Sequence, residues 1–173
     1  MVGVQDVVAE LRVGVKDLAA EDRSGWSPQD LSERVCDLSG LVEAVQVEWV
    51  RAVAGWDRHT AWAEDGAVTA VAWLRAHAGL ARGEASSLVA VARLYDEHPT
   101  VARALDGGAL TLAHARLLVR ARRHRSGPFA TCVNGLVQLA AETDSVEDFA
   151  QVLAEWVELV DDRPPPDESR RRF

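Results

Sequence analysis

Residues 69–94 read TAVAWLRAHAGLARGEASSLVAVARL, and the fold turns on how this stretch is parsed. Apolar residues recur at intervals of three and four, not two, so the segment is helical on both sides of Gly79. A glycine at that point supplies the positive φ that a tight turn between helices favours. Leu74, Ala78, Leu80, Ala85 and Leu88 then become the buried positions of a helix-turn-helix-like unit. Arg82, Ser86 and Ser87 turn outward on its second helix. Small polar side chains beside an arginine suit a helix lying in a DNA major groove, where acids would be repelled by phosphate. Glu84 on the same helix counts against that use, as does Arg75 at a position that close helix packing usually keeps small. Plain packing of two helices in an all-α protein accounts for the same pattern.

The three-and-four spacing extends outward in both directions. Val4, Val7, Val8, Leu11, Val15 and Leu18 share one helical face ahead of a turn in DRSGWS, residues 22–27. Ser27 as N-cap, Pro28 at the first helical position and Asp30 three residues after the cap predict the start of a long helix over 28–64. Leu31, Val35, Leu38, Val42, Val45, Trp49, Val53 and Trp56 run along it as one stripe. Beyond it, glycine and proline punctuation predicts shorter helices over 68–77, 82–97, 100–106, 112–123, 129–142 and 145–160, the last opened by Ser145 with Asp148. The expected architecture is all-α: two long N-terminal helices and a cluster of shorter ones. It is organised as one helical domain over 1–160, with a support helix at 28–64 and a helix-turn-helix-like head at 67–125. The stretch DDRPPPDESRRRF, residues 161–173, reads as a polar, proline-rich tail or linker.

A chain of 173 residues with 48% apolar content is large enough to bury a core. Its apolar runs are too short to cross a bilayer, and Asp6 and Glu10 stand where a signal peptide would be basic and then purely apolar. The expectation is a cytoplasmic protein with no membrane partner. Cys36 and Cys132 are isolated, and His59, His77, His98, His114 and His124 are scattered without ligand spacing, so neither a metal nor another cofactor is expected.

Charge is uneven. The formal net charge is -8, yet residues 101–128 hold Arg103, Arg116, Arg120, Arg122, Arg123 and Arg125 against the single acid Asp106. Arg116, Arg120 and Arg123 recur at four and three and form one exposed stripe, which Arg122, His124 and Arg125 thicken at the helix end. A helix C-terminus attracts cations for its own sake, but this many arginines with so few acids suits phosphate binding. His114, in a helix N-terminal turn, reads either as a packing or capping residue or as a phosphate contact. Trp49, Trp56, Trp73 and Trp156 fall on apolar stripes and read as core instead of base-stacking platforms. Glu64–Asp65 and Asp161–Asp162 read as solvated charge in turns.

The central segment carries Gly79, Arg93–Leu94, Pro99, Gly108, Leu110, Thr111, His114-Ala115-Arg116 and Leu117–Leu118. In that order it resembles the DNA-binding core of ParB-type partition proteins. A wider set comprises Trp56, Trp62 with Gly66, Ala72-Trp73-Leu74, Gly79, Pro99–Thr100, the run from Ala104 to Ala115, Leu136 to Ala140, Phe149 and Trp156. Over about residues 40–165 it is similar to domain of unknown function 222, the 13E12-repeat family. That family is common in actinobacteria and usually stands N-terminal to an HNH endonuclease domain. The resemblance implies a non-catalytic DNA-binding or targeting module, with DNA as partner and an HNH nuclease domain supplied in cis or in trans. The paired cysteines and His-Asn-His set of that nuclease have no counterpart here, so no catalytic residue is expected in this chain. The family's domain usually runs past the equivalent of Arg172. On this reading Arg82, Ser86 and Ser87 approach the groove, while His114, Arg116, Arg120, Arg122, Arg123 and Arg125 hold the backbone. The alternative belongs to another class: valine-rich amphipathic helices that form a homodimer or bind a partner protein without touching DNA. An apolar stripe left uncovered on the first helix would favour it.

Overall fold

The computed structural model describes residues 4–162, with side chains from residue 7 onward. Among the described residues the fold is all-α, with no strand. The helices are α1 (Val4–Ala20), α2 (Pro28–Arg58), α3 (Ala70–His77), α4 (Arg82–Glu97), α5 (Pro99–Asp106), α6 (Leu112–Arg122), α7 (Ser126–Glu142) and α8 (Val146–Asp161), with a 3-10 turn at Ala61–Ala63 after α2. The chain forms two compact units, residues 1–40 and 41–173. From residue 163 the expected tail lies outside the described residues. No helix described is long and apolar enough to cross a membrane.

The first unit holds α1 and the opening turns of α2. The capping box forms as the sequence predicts: Ser27 N–H donates to Asp30 Oδ2 at 2.8 Å and Asp30 N–H donates to Ser27 Oγ at 3.2 Å. Arg34 pairs with Glu21 at 3.1 Å and lies over the Trp26 ring, 4.9 Å from its centroid. No apolar side chain described in this unit is fully buried, and Val7, Val8, Leu11, Val15, Leu31 and Val35 are exposed. The apolar face of α1 is uncovered.

The second unit contains the core, in which Phe129, Phe149, Leu94, Leu110, Leu118, Val50, Val91 and Val101 are essentially inaccessible to solvent. Here α2 departs from the sequence reading. Its core-facing residues are Val47, Val50, Val53 and Ala54, whereas Val42 and Val45 are exposed and Trp49, expected in the core, is 40% exposed. At about 100° per residue, Val45 and Val47 stand on nearly opposite sides of the helix. α2 therefore carries apolar residues on two sides, and the rest of this unit covers Val47, Val50 and Ala54 on one side and, past Trp49, Val53 on the other. Of the other tryptophans, Trp56, Trp73 and Trp156 pack half-buried against the core.

Between α3 and α4, Gly79 takes φ +69°, as the turn requires. Leu74, Ala85 and Leu88 are buried, Leu80 is half-buried, and Ala78 is exposed, because it is the C-cap of α3 and sits at the rim of the turn. α2 stops at Arg58 instead of 64: Thr60, at φ +50°, breaks the helix and a 3-10 turn follows. α7 begins three residues earlier than expected and takes Pro128 into its first turn, where a missing N–H breaks no helical bond.

Candidate nucleic-acid interface

α6 is anchored at its start and on one face. The Glu43 carboxylate accepts the N–H of Leu112, placing an anion on the first free donor of the helix. His114, Ala115, Leu118 and Ala121 are buried, which turns Arg116, Arg120 and Arg123 outward at spacings of four and three. α4 is fixed by Ala85, Leu88, Val89, Val91, Ala92 and Leu94 in the core, leaving Ser86 exposed and Ser87 half-buried.

These exposed faces meet along one open groove of about 830 Å³ between α4 and α6. Ser86, Ser87, Arg93 and Glu97 line it from α4, and Arg116, Arg120 and Arg122 from α6, with Arg123 at the end of that helix. Val71, Val89, Ala90 and Val119 give it an apolar floor. Six of the nine side chains singled out from sequence are thus brought together: Ser86, Ser87, Arg116, Arg120, Arg122 and Arg123.

The arginines are not equivalent. Arg122 pairs with Glu97, and Arg93 donates from Nε to Asp57 at 2.7 Å. The Asp57 carboxylate, only 9% exposed, also accepts the Trp62 Nε1–H at 3.0 Å. Arg116, Arg120 and Arg123 have no ion-pair partner among the described residues and so present unneutralised charge. With Arg93 and Arg122 matched by Asp57 and Glu97, the three free arginines leave the groove net positive in a chain of net negative charge.

Three expected site residues lie elsewhere. Arg82 is exposed in the first turn of α4 but does not line the groove. Arg125 is clamped by both oxygens of Asp161, with Nε 2.7 Å from Oδ1, and it also donates to the Arg123 carbonyl. Asp161 is therefore an ion-pair partner and not free solvated charge; Asp65 likewise accepts the Trp73 Nε1–H at 2.7 Å. His114 is 8% exposed and belongs to the helix cap, not to the exposed strip: its Nδ1 accepts the Thr111 N–H at 3.2 Å, and its ring lies 5.5 Å from that of Phe149. Burial holds its pKa below the ordinary value, keeping Nδ1 free to accept. His98, packed edge-on against Phe129 at 5.5 Å, is lowered by burial and then by the Arg122 charge.

The links at the two ends of α6 and just after it, Glu43 to Leu112, Glu97 to Arg122 and Asp161 to Arg125, join residues 25 or more apart in the chain, and no local pattern announces them. Among the described residues no three His, Cys, Asp or Glu side chains gather as a metal-binding group. Comparison of the chain with protein-family models, curated proteins and solved structures gave no match.

Proposed function

We propose that this chain is a non-catalytic DNA-binding module that holds the sugar-phosphate backbone along the α4–α6 groove. It would serve an HNH nuclease domain in cis or in trans, as the resemblance to domain of unknown function 222 implies. The observation that carries the reading is the convergence of Ser86 and Ser87 with the unpaired Arg116, Arg120 and Arg123 on one electropositive groove. Guanidinium groups make charge-assisted, often bidentate bonds to phosphate, and each phosphate neutralised releases condensed counterions. Serine hydroxyls donate to phosphate or to base edges without adding bulk, and Gly83 on the same wall keeps the approach open.

The test is a fluorescence-anisotropy titration of labelled duplex and single-stranded DNA at about 50 mM salt, where backbone contacts are strongest. Saturable, salt-sensitive binding is the expected result. Absence of binding to either form at low salt overturns the reading. Homodimerisation concerns a different surface, the apolar stripes of α1 and α2.

A further inference from the structure

Glu97, in the last turn of α4, is the one carboxylate among the described side chains that line the groove. A negative charge there opposes the dipole of its own helix, so α4 by itself does not favour the placement. Its partner is on the opposite wall. Glu97 accepts from the Arg122 guanidinium, and the pair spans from α4 to α6. At about 100° per residue, Arg122 is turned well away from Arg116, Arg120 and Arg123 and toward the side of Val119, which floors the groove. Three guanidiniums of α6 are thus left free while the fourth is drawn across.

The pair is a surface contact and not a support of the fold. The Glu97 side chain is 47% exposed and that of Arg122 28%, and exposed ion pairs add little to stability. Both helices are anchored separately in the core by fully buried residues, Ala85, Ala92 and Leu94 on α4 and Ala115 and Leu118 on α6. A carboxylate and a phosphate present anionic oxygens to the same fork of N–H donors, so each excludes the other from a single guanidinium. A displaced Glu97 also has a second cation within reach: Arg93, four residues earlier on α4, has its pKa raised chiefly by the Asp57 hydrogen bond and also by the Glu97 charge.

We propose that Glu97 is an internal competitor for phosphate, which keeps Arg122 out of the phosphate-binding set and so sets the affinity of the groove. This inference rests on the DNA reading and deepens it. The free protein then holds a backbone through three arginines, and loss of the carboxylate recruits Arg122 as a fourth. Because backbone contacts carry no sequence information, the competitor holds down the sequence-independent part of binding.

The test is the anisotropy titration of duplex DNA with the full chain at several salt concentrations. Glu97→Gln should bind about two- to fivefold tighter at about 50 mM salt, the worth of an exposed ion pair, and its salt slope should steepen by about 0.9, one further phosphate. Arg122→Gln alone should stay close to the wild type, and Glu97→Gln/Arg122→Gln should lose the gain. Glu84→Gln removes the same charge from an exposed site on α4 that does not line the groove, and should leave the slope unchanged. The proposal is overturned by a Glu97→Gln variant that binds like the wild type, by a gain that persists without Arg122, or by an equal gain from Glu84→Gln, which would assign the effect to overall charge. A near-UV circular dichroism spectrum altered in Glu97→Gln would show the pair to be structural and overturn it as well. Absence of binding by the wild type and every variant defeats the DNA reading itself, whereas binding by the wild type with no effect of Glu97→Gln removes this inference alone.

Discussion

Changing Arg116, Arg120 and Arg123 together to glutamine separates the arginines that are available to a polyanion from those already committed within the protein. These three have no ion-pair partner among the described residues, whereas Arg122 and Arg125 are held by Glu97 and Asp161. On duplex DNA each neutralised phosphate contributes about -0.9 to the slope of log affinity against log salt. If each of the three engages one phosphate, they supply a slope of roughly -2.7, so raising salt from about 50 to about 200 mM weakens binding about 40-fold through them alone. Arg122 and Arg125 supply less, because a phosphate must displace a carboxylate from each. Anisotropy titrations at four salt concentrations read these slopes directly. The triple variant should lose most of the salt dependence, while Arg125→Gln should leave the slope nearly unchanged. An unaltered slope in the triple variant, or an equal loss from Arg125→Gln alone, would refute the assignment of the free charge.

Other consequences concern stability. Phe129→Ala removes a fully buried ring packed against His98 and Trp156, and should cost about 3–5 kcal/mol in urea unfolding; a loss under about 1 kcal/mol would mean that the site collapses around the gap. Ser145→Ala removes the acceptor for the Asp148 N–H and should cost about 1 kcal/mol by the same measurement, with no change expected in DNA affinity. The His114 pKa is held below 6.5, so as pH falls the unfolded chain takes up that proton before the folded one does. Stability therefore drops as pH falls through about 6.5 and levels off below the lowered native pKa, and His98 acts in the same direction. His114→Gln keeps a side chain able to complete the capping box and has no charge to gain, so its urea midpoint should change less between about pH 7.5 and pH 5.5 than that of the wild type. Equal pH dependence in both would place the titrating group elsewhere.

Where a residue type dictates local backbone geometry, the sequence and the structure agree. α4 has the bounds expected from Gly79 before it and Pro99 after it, and Ser27 and Ser145 cap α2 and α8 because a short oxygen-bearing side chain at those positions can reach the free N–H groups. The groove is half legible in the same way. The spacing of Arg116, Arg120 and Arg123 puts them on one face, and burial of the opposite face of α6 then turns them outward. What periodicity does not reveal is a choice between equivalent faces. α2 carries apolar residues on two sides, and only the neighbours that arrive from distant sequence select Val47, Val50 and Ala54 for the core in place of Val45 and Trp49. Ion pairing is hidden for the same reason, since nothing near Arg122 or Arg125 in sequence reveals that Glu97 and Asp161 will meet them. His114 completes a cap that the usual Ser/Thr-x-x-Glu/Gln pattern does not describe.

The Asp57 carboxylate joins three parts of the fold, since it sits in the last turns of α2 and binds both the Trp62 indole N–H after that helix and the Arg93 guanidinium on the groove wall. Such a node makes the effects of substitution depend on order. Once Asp57 is replaced by asparagine, changing Arg93 removes little more, whereas replacing Arg93 first leaves a nearly buried anion with one neutral partner and so carries the larger penalty. A double-mutant cycle over the two positions should be far from additive. Arg93 is accordingly a fastener of the wall on which it stands, and its positive charge is already matched before any ligand arrives.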